Sequence, residues 1–247
     1  MSGGVLVAKP ADGICQISIN RPERRNALDV ATYARLGEVL LAADQDDAIR
    51  VIVLSGEGKH FTAGNDLSDF RLLKGAESVP GIDFLRILAG VSKPVIAAIE
   101  GYAIGIGTTM LLHCDLAYGG KGSTFRLPFV GLGLCPEGGA TYLLPLLSGS
   151  KVASNLLFFG EPFLADLARE IGLINEVVEE GRALEVAIKR GEALAQLPSR
   201  ALSKTKALLA SHRRSTLNAA MAAEEREFLD CCASDEAQAA FEAFLNK

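Results

Sequence analysis

The sequence predicts an α/β fold followed by a helical tail. Short apolar runs rich in Val, Ile and Ala end in glycine, as strands buried on both faces do. Stretches with apolar residues at helical spacing alternate with those runs as far as residue 195. From residue 196 onward only the helical spacing remains. A chain of 247 residues, 49% hydrophobic and 22% charged, can bury one large core. Residues 1–195 are therefore expected to form that core and 196–247 a helical region.

The elements follow in order. "ICQISIN" (14–20) is β-branched and partly alternating, and it runs into the turn-like "RPERRN". "ALDVATYARLGEVLLAADQD" (27–46) has helical spacing, with Asn26 or Asp29 placed to cap it. "RVIVLSGEG" (50–58) and "KPVIAAIEG" (93–101) are buried strands, and "DLAYGG" (115–120) is a third. Helix-like "TTMLLHC" (108–114) lies between the last two. Helical patterns dominate from 150, interrupted by "LINEVV" (173–178). Pro198 separates a long helix from "SRALSKTKALLASH", and further helices cover 215–245. Apolar patches "FLDCC" and "FEAFL" there, with Phe228, Leu229, Phe241 and Phe244, need a partner surface in this domain or a neighbouring subunit.

Composition excludes several function classes. Net charge is −5, and the basic pairs Arg24-Arg25 and Arg213-Arg214 stand alone, so no nucleic-acid footprint is present. The start "MSGGVLVAKP" is not that of a signal peptide. No apolar run approaches the roughly 18 residues of a membrane span. Five cysteines without a C-x-x-C pair fit a reduced, cytoplasmic compartment. His60, His113 and His212 have no metal-ligand spacing, and no metal is expected.

Two loops each follow a buried strand and open onto a helix: "GKHFTAGNDLSDF" (58–70) and "GYAIGIGTTM" (101–110). Small residues at a helix start leave backbone N–H groups pointing outward, with the helix dipole behind them. Two such loops on neighbouring strands can aim two donors at one oxygen, the arrangement of an oxyanion hole. The glycine spacing is not that of a dinucleotide fingerprint, no phosphate-binding G-x-x-x-x-G-K-[ST] occurs, and Ser55 lacks a nucleophile elbow. Downstream, "LCPEGGATY" (134–142) sets Glu137 between a proline and two glycines, a tight turn leading into a short apolar helix. A glutamate in a turn is ordinarily just solvated; the two loops upstream, with this isolated glutamate downstream of them, weigh against a purely structural reading.

These segments, in this order, resemble the crotonase (enoyl-CoA hydratase/isomerase) superfamily over nearly the whole chain. "RPERRNAL", "FTAGNDL" and "KPVIAAIEGYAIGIGTTMLLHCDLAYG" are similar to its characteristic stretches. The resemblance implies a spiral of ββα turns with a C-terminal helical oligomerisation region, and a homotrimer or dimer of trimers. It implies an acyl-coenzyme A thioester as substrate, with no separate cofactor. The backbone N–H groups of Asn65 and Ile106 would be the oxyanion donors. Arg24, Ala27, Ala63, Asp66 and Leu67 would contact the nucleotide end, largely through backbone and apolar groups.

The departures narrow the expected reaction. Hydratases of the family place and activate water with two glutamates; the matching positions here are Thr109 and Phe129, neither able to exchange a proton near neutral pH. "AGND" together with "CPEGG" instead resembles the peroxisomal-type Δ3,Δ2-enoyl-CoA isomerases, whose acid/base is the Pro-Glu-Gly glutamate. By that likeness Glu137 is the catalytic group, with Phe129 and Leu134 as candidate apolar walls. Enoyl-CoA hydration and silent acyl-CoA binding are the alternatives. Asp66, Asp69 and Glu100 are the next candidate bases.

Overall fold

The computed structural model describes residues 4–69, 76 and 78–245, and among these residues it has two sheets and nine α-helices. The strands are β1 (Val5–Ala8), β2 (Ile14–Ile19), β3 (Val51–Gly56), β4 (Val95–Ile99), β5 (Tyr102–Ile104), β6 (Leu116–Gly120), β7 (Thr124–Arg126), β8 (Phe163–Leu164) and β9 (Glu176–Val178). The helices are α1 (Val30–Gln45), α2 (Pro80–Gly90), α3 (Ile106–Thr109), α4 (Ala140–Ser148), α5 (Ser150–Phe159), α6 (Ala165–Glu170), α7 (Ala183–Ala195), α8 (Ser199–Ala233) and α9 (Asp235–Leu245).

The principal sheet has the order β1-β2-β3-β4-β6-β9 and is parallel except for β1. Side-chain alternation explains why its central strands read as unbroken apolar runs. Ile52 and Leu54 of β3 enter the core on one face while Val51 and Val53 enter the core on the other. In β4, Val95, Ala97 and Ile99 take the first face, and Ile96 and Ala98 the second. Helix α7 covers that second face, with buried Ala183, Ala187 and Ala195 on the side turned to the sheet.

A small sheet, β5-β7-β8, stands beside the first. The chain passes from β4 to β5 to α3, and then from β6 to β7 to a 3-10 turn at Val130–Leu132. This twofold strand–strand–helix progression matches the ββα turns expected. Strands β5, β7 and β8, of three, three and two residues, are too short for period 2 to register in the sequence.

One open alternative is resolved and one expectation is corrected. Asp29, not Asn26, caps α1: its Oδ1 accepts from Thr32 N at 2.8 Å. Asn26 is fully buried at φ 58° and latches the loops, donating from Nδ2 to Glu57 O and His60 O. The tail has no break near residue 215, because α8 runs unbroken for 35 residues and stops at Ser234.

The tail also packs back on the chain. Met221, Phe228 and Phe241 are buried in the same core cluster as Ile52 and Ile99, so these two phenylalanines have their partner surface within the domain. Leu229 is partly buried against that cluster. The Phe244 side chain lies outside the described residues. Among the described residues, the exposed large apolar side chains of α8 are Leu208 and Leu209.

Candidate active site

Short cross-links bring the two glycine-bearing loops together. Thr62 N donates to Tyr102 O at 2.8 Å, and Ile104 N donates back to Thr62 O at 3.1 Å. On the other side Leu28 N donates to Gly64 O and Asp66 N to Leu28 O, so the "AGND" loop is stitched between the "RPERRNAL" segment and β5. Gly64 is required here. Its φ is +88°, and a Cβ would stand 2.5 Å from Ile104 O. Asn65 and Ile106 therefore lie on adjoining backbone segments. Among the described residues, neither backbone N–H has a backbone or side-chain acceptor. The second loop is fixed from below, where Gly105 N donates to Arg126 O and Thr108 Oγ1 to Ala103 O.

Next to Asn65 a cavity of about 170 Å³ opens, lined in part by Leu28, Tyr33, Asp66, Val79 and Gly81. Tyr33 Oη donates to Asn65 Oδ1 at 2.5 Å and thereby fixes that side chain. Burial raises the Tyr33 pKa well above the usual phenol value, and the Glu137 charge adds to the rise, so Tyr33 stays neutral.

Glu137 is 1% exposed. Its Oε1 accepts from Thr109 Oγ1 at 2.5 Å, and its Oε2 is the one buried side-chain polar atom with no partner among the described residues. Thr109 Oγ1 is also 3.4 Å from Ile106 O, and the two residues share α3. Three residues of helix rise about 4.5 Å. The carboxyl group is thus held within roughly one helical turn of the proposed Ile106 donor. Burial pushes its pKa up to about 8; the Thr109 hydroxyl opposes this, and the Glu224 charge adds to it. A carboxyl so placed holds or releases a proton near neutral pH, as a proton shuttle must.

Gly138 and Gly139, at φ 74° and 77°, turn the chain sharply behind Glu137. Leu85 stands against Gly138, and Leu217 and Met221 against Gly139. His113 Nε2 donates to Gly138 O at 2.7 Å; burial lowers its pKa to about 4, so it is a neutral structural donor. Phe129 and Leu134 are buried, and Leu134 N donates to Phe129 O; neither lines the cavity beside Asn65. Leu85, Leu217 and Met221 come from α2 and α8 and carried no signal in the sequence.

The remaining candidates lie nearer the rim. Arg24 is exposed on the turn Pro22–Arg24, and Ala27, Ala63 and Leu67 are half-buried around the "AGND" loop. Asp66 pairs with Arg21 at 3.4 Å, and Arg21 also holds Asp29 at 3.0 Å; Arg21 is an organiser the sequence reading missed. Asp69 accepts from Val30 N. Glu100 accepts from Ala183 N, tying β4 to α7 on the far side of the sheet. These three carboxylates have structural partners, unlike Glu137 Oε2. Among the described residues no group of three His, Cys, Asp or Glu is arranged to hold a metal, and no helix is long and apolar enough to cross a membrane.

A family model described as enoyl-CoA hydratase/isomerase matches residues 9–247. Human enoyl-CoA delta isomerase 2 is 33% identical over 98% of this chain, which spans 63% of the length of that protein. The 2,3-dehydroadipyl-CoA hydratase of Escherichia coli is 31% identical over 98% of this chain and 96% of its own. Among solved structures, Pseudomonas aeruginosa OdaA superposes with a TM-score of 0.95 at 35% identity over 99% of both chains. An enoyl-CoA hydratase/isomerase from Pseudoalteromonas atlantica superposes at 0.92 and 34% identity, over 98% of this chain and 97% of that one.

Proposed function

Because the chain belongs to the enoyl-CoA hydratase/isomerase family and has its fold, we propose that it moves the double bond of a 3-enoyl-CoA into conjugation with the thioester. The observation that carries this reading is Glu137, a buried carboxyl group with one oxygen held by Thr109 and the other unpartnered.

Glu137 Oε2 takes a proton from C2, between the thioester and the double bond. The electron pair delocalises onto the thioester oxygen, which the N–H groups of Asn65 and Ile106 stabilise. The same carboxyl returns the proton to C4, and the double bond now lies between C2 and C3. One base serves both steps because both carbons present the same face of a planar dienolate. Thr109 suits both protonation states. It donates to Oε1 of the carboxylate, and it can turn its hydrogen toward Ile106 O when Glu137 is the acid.

Hydration is the second reading, favoured by the relatives that carry hydratase names at similar identity. Against it stand Thr109 and Phe129 at the two positions where family hydratases carry glutamate. Enoyl-thioester absorbance separates the readings: it rises when 3-enoyl-CoA is isomerised and falls when 2-enoyl-CoA is hydrated. A fall with 2-enoyl-CoA and no rise with 3-enoyl-CoA would overturn the isomerase assignment; no change with either would leave an acyl-CoA binder. Self-association belongs to the same proposal, and sedimentation of the full chain tests for a trimer or hexamer.

A further inference from the structure

Two carboxyl groups flank the Pro136–Gly139 turn, and only one is explained above. Glu224 sits on α8, is 5% exposed, and reaches from 85 residues away to the start of α4. Its Oε2 accepts from Gly139 N at 2.5 Å, and its Oε1 accepts from Thr141 N at 2.8 Å and Thr141 Oγ1 at 2.5 Å. Helix α4 has Gly139 at its N-cap, which offers no capping side chain, so Glu224 supplies the cap from another element.

We infer that Glu224 is a positioning residue for the reaction: it pins the turn that carries Glu137 and sets a second carboxyl group beside that turn. This rests on the reading of Glu137 as the base.

The hydrogen-bond pattern sets the charge states apart. Backbone N–H groups can only donate, so both Glu224 oxygens must accept, and the anion is the form that fits. Burial raises the Glu224 pKa, while the bonds from Thr141 and Gly139 hold it back. Glu137 receives a single bond, from Thr109, and has an oxygen free to carry a proton. Two carboxyls with environments this different divide into a fixed anion and a proton carrier.

Arg213 is a further charge near the turn, acting on His113, and the groups packed against the turn itself are neutral or paired. His113 is held uncharged under Gly138, and Tyr33 remains a phenol. The half-buried Cys135 thiol, bonded to Glu224 O and beside Cys231, is pushed up to about 12. Glu225, next in sequence, is engaged elsewhere by Arg86 and by Val79 N. Glu224 is left as the charge acting on Glu137.

The test compares wild type, E224Q, E224D and E137Q, reading the pH profile of kcat for 3-enoyl-CoA. The C=O stretch of protonated Glu137 is followed by infrared difference against E137Q. E224Q removes the charge, so the acid limb of kcat and loss of the infrared band should both move down by about one pH unit. E224D keeps the charge but shortens the reach; its limb should stay in place while kcat falls roughly tenfold or more at unchanged KM. An E224Q limb and band at the wild-type pH, with E137Q inactive, would overturn the inference alone. An active E137Q would overturn the base assignment and this inference with it. Should E224Q fail to fold, E224D decides, since a wild-type kcat there would exclude a positioning role.

Discussion

At the residue scale the site rests on one carboxyl group kept out of water. Removing its proton-accepting ability while keeping its shape, as in Glu137→Gln, should lower kcat by about 10²–10⁴-fold, as loss of a general acid–base group does. Acyl-CoA affinity, read by calorimetry, should hold, because in the proposed reading the thioester oxygen and the nucleotide fall to other segments. Thr109 offers a finer probe. Thr109→Val removes the one partner that Oε1 has among the described residues, so neutral Glu137 should be favoured further, with the acid limb of kcat moving to higher pH. Thr109→Ser keeps the hydroxyl and should restore the wild-type limb. A pH profile indifferent to valine would mean the hydrogen bond has no part in proton transfer. Glu137 was legible in the sequence because proline and paired glycines around one acid form a local pattern. Glu224 was not, because it lies in "AAEERE", which reads as a solvated helix face, and nothing local records the Gly139 and Thr141 donors.

At the element scale the proposed oxyanion hole is a property of backbone. Ile106→Ala should retain most activity, whereas Ile106→Pro deletes the N–H and should abolish turnover with the fold intact by circular dichroism. Loss of one oxyanion donor costs about 2.7–4 kcal/mol in a hydrolase, a factor of about 10²–10³ in kcat, which sets the scale. Equal activity loss in the alanine and proline variants would shift the role to the side chain. Strands β3, β4 and β6 could be read in advance because burial on both faces, or nearly so, leaves continuous apolar runs. The small sheet that anchors the second loop could not, since its pairings join segments of two or three residues. Helix α8 shows the opposite failure: its helicity was evident, but its length and docking were not. Phe228 is fully buried in the chain's own core, so Phe228→Ala should destabilise by about 3–5 kcal/mol in urea titration. Leu209, 72% exposed, should tolerate serine within about 0.5 kcal/mol.

At the scale of the whole molecule, the property that makes Glu137 useful also makes it a liability for stability. A glutamate ionises near its ordinary 4.5 in the unfolded chain but near 8 in the folded one. Below 4.5 both states hold the proton, and burial exacts no ionisation penalty. As pH rises from there toward 8, the unfolded chain releases its proton and the folded chain does not. Each unit of that gap removes about 1.4 kcal/mol of stability, and the loss saturates once the folded group ionises too. Glutamine at 137 never ionises and escapes this loss. The stability of Glu137→Gln relative to wild type should therefore grow in glutamine's favour from pH 5 to pH 8, by up to a few kcal/mol, and flatten above. The acid limb of kcat should fall in the same range, since the base works only after the proton has left. Urea titrations of both proteins at pH 5, 7 and 9 check the first curve and steady-state rates the second. A stability difference that does not vary with pH, beside a rate that is already level at pH 6, would mean Glu137 ionises in the ordinary carboxylate range and is not the desolvated base described here.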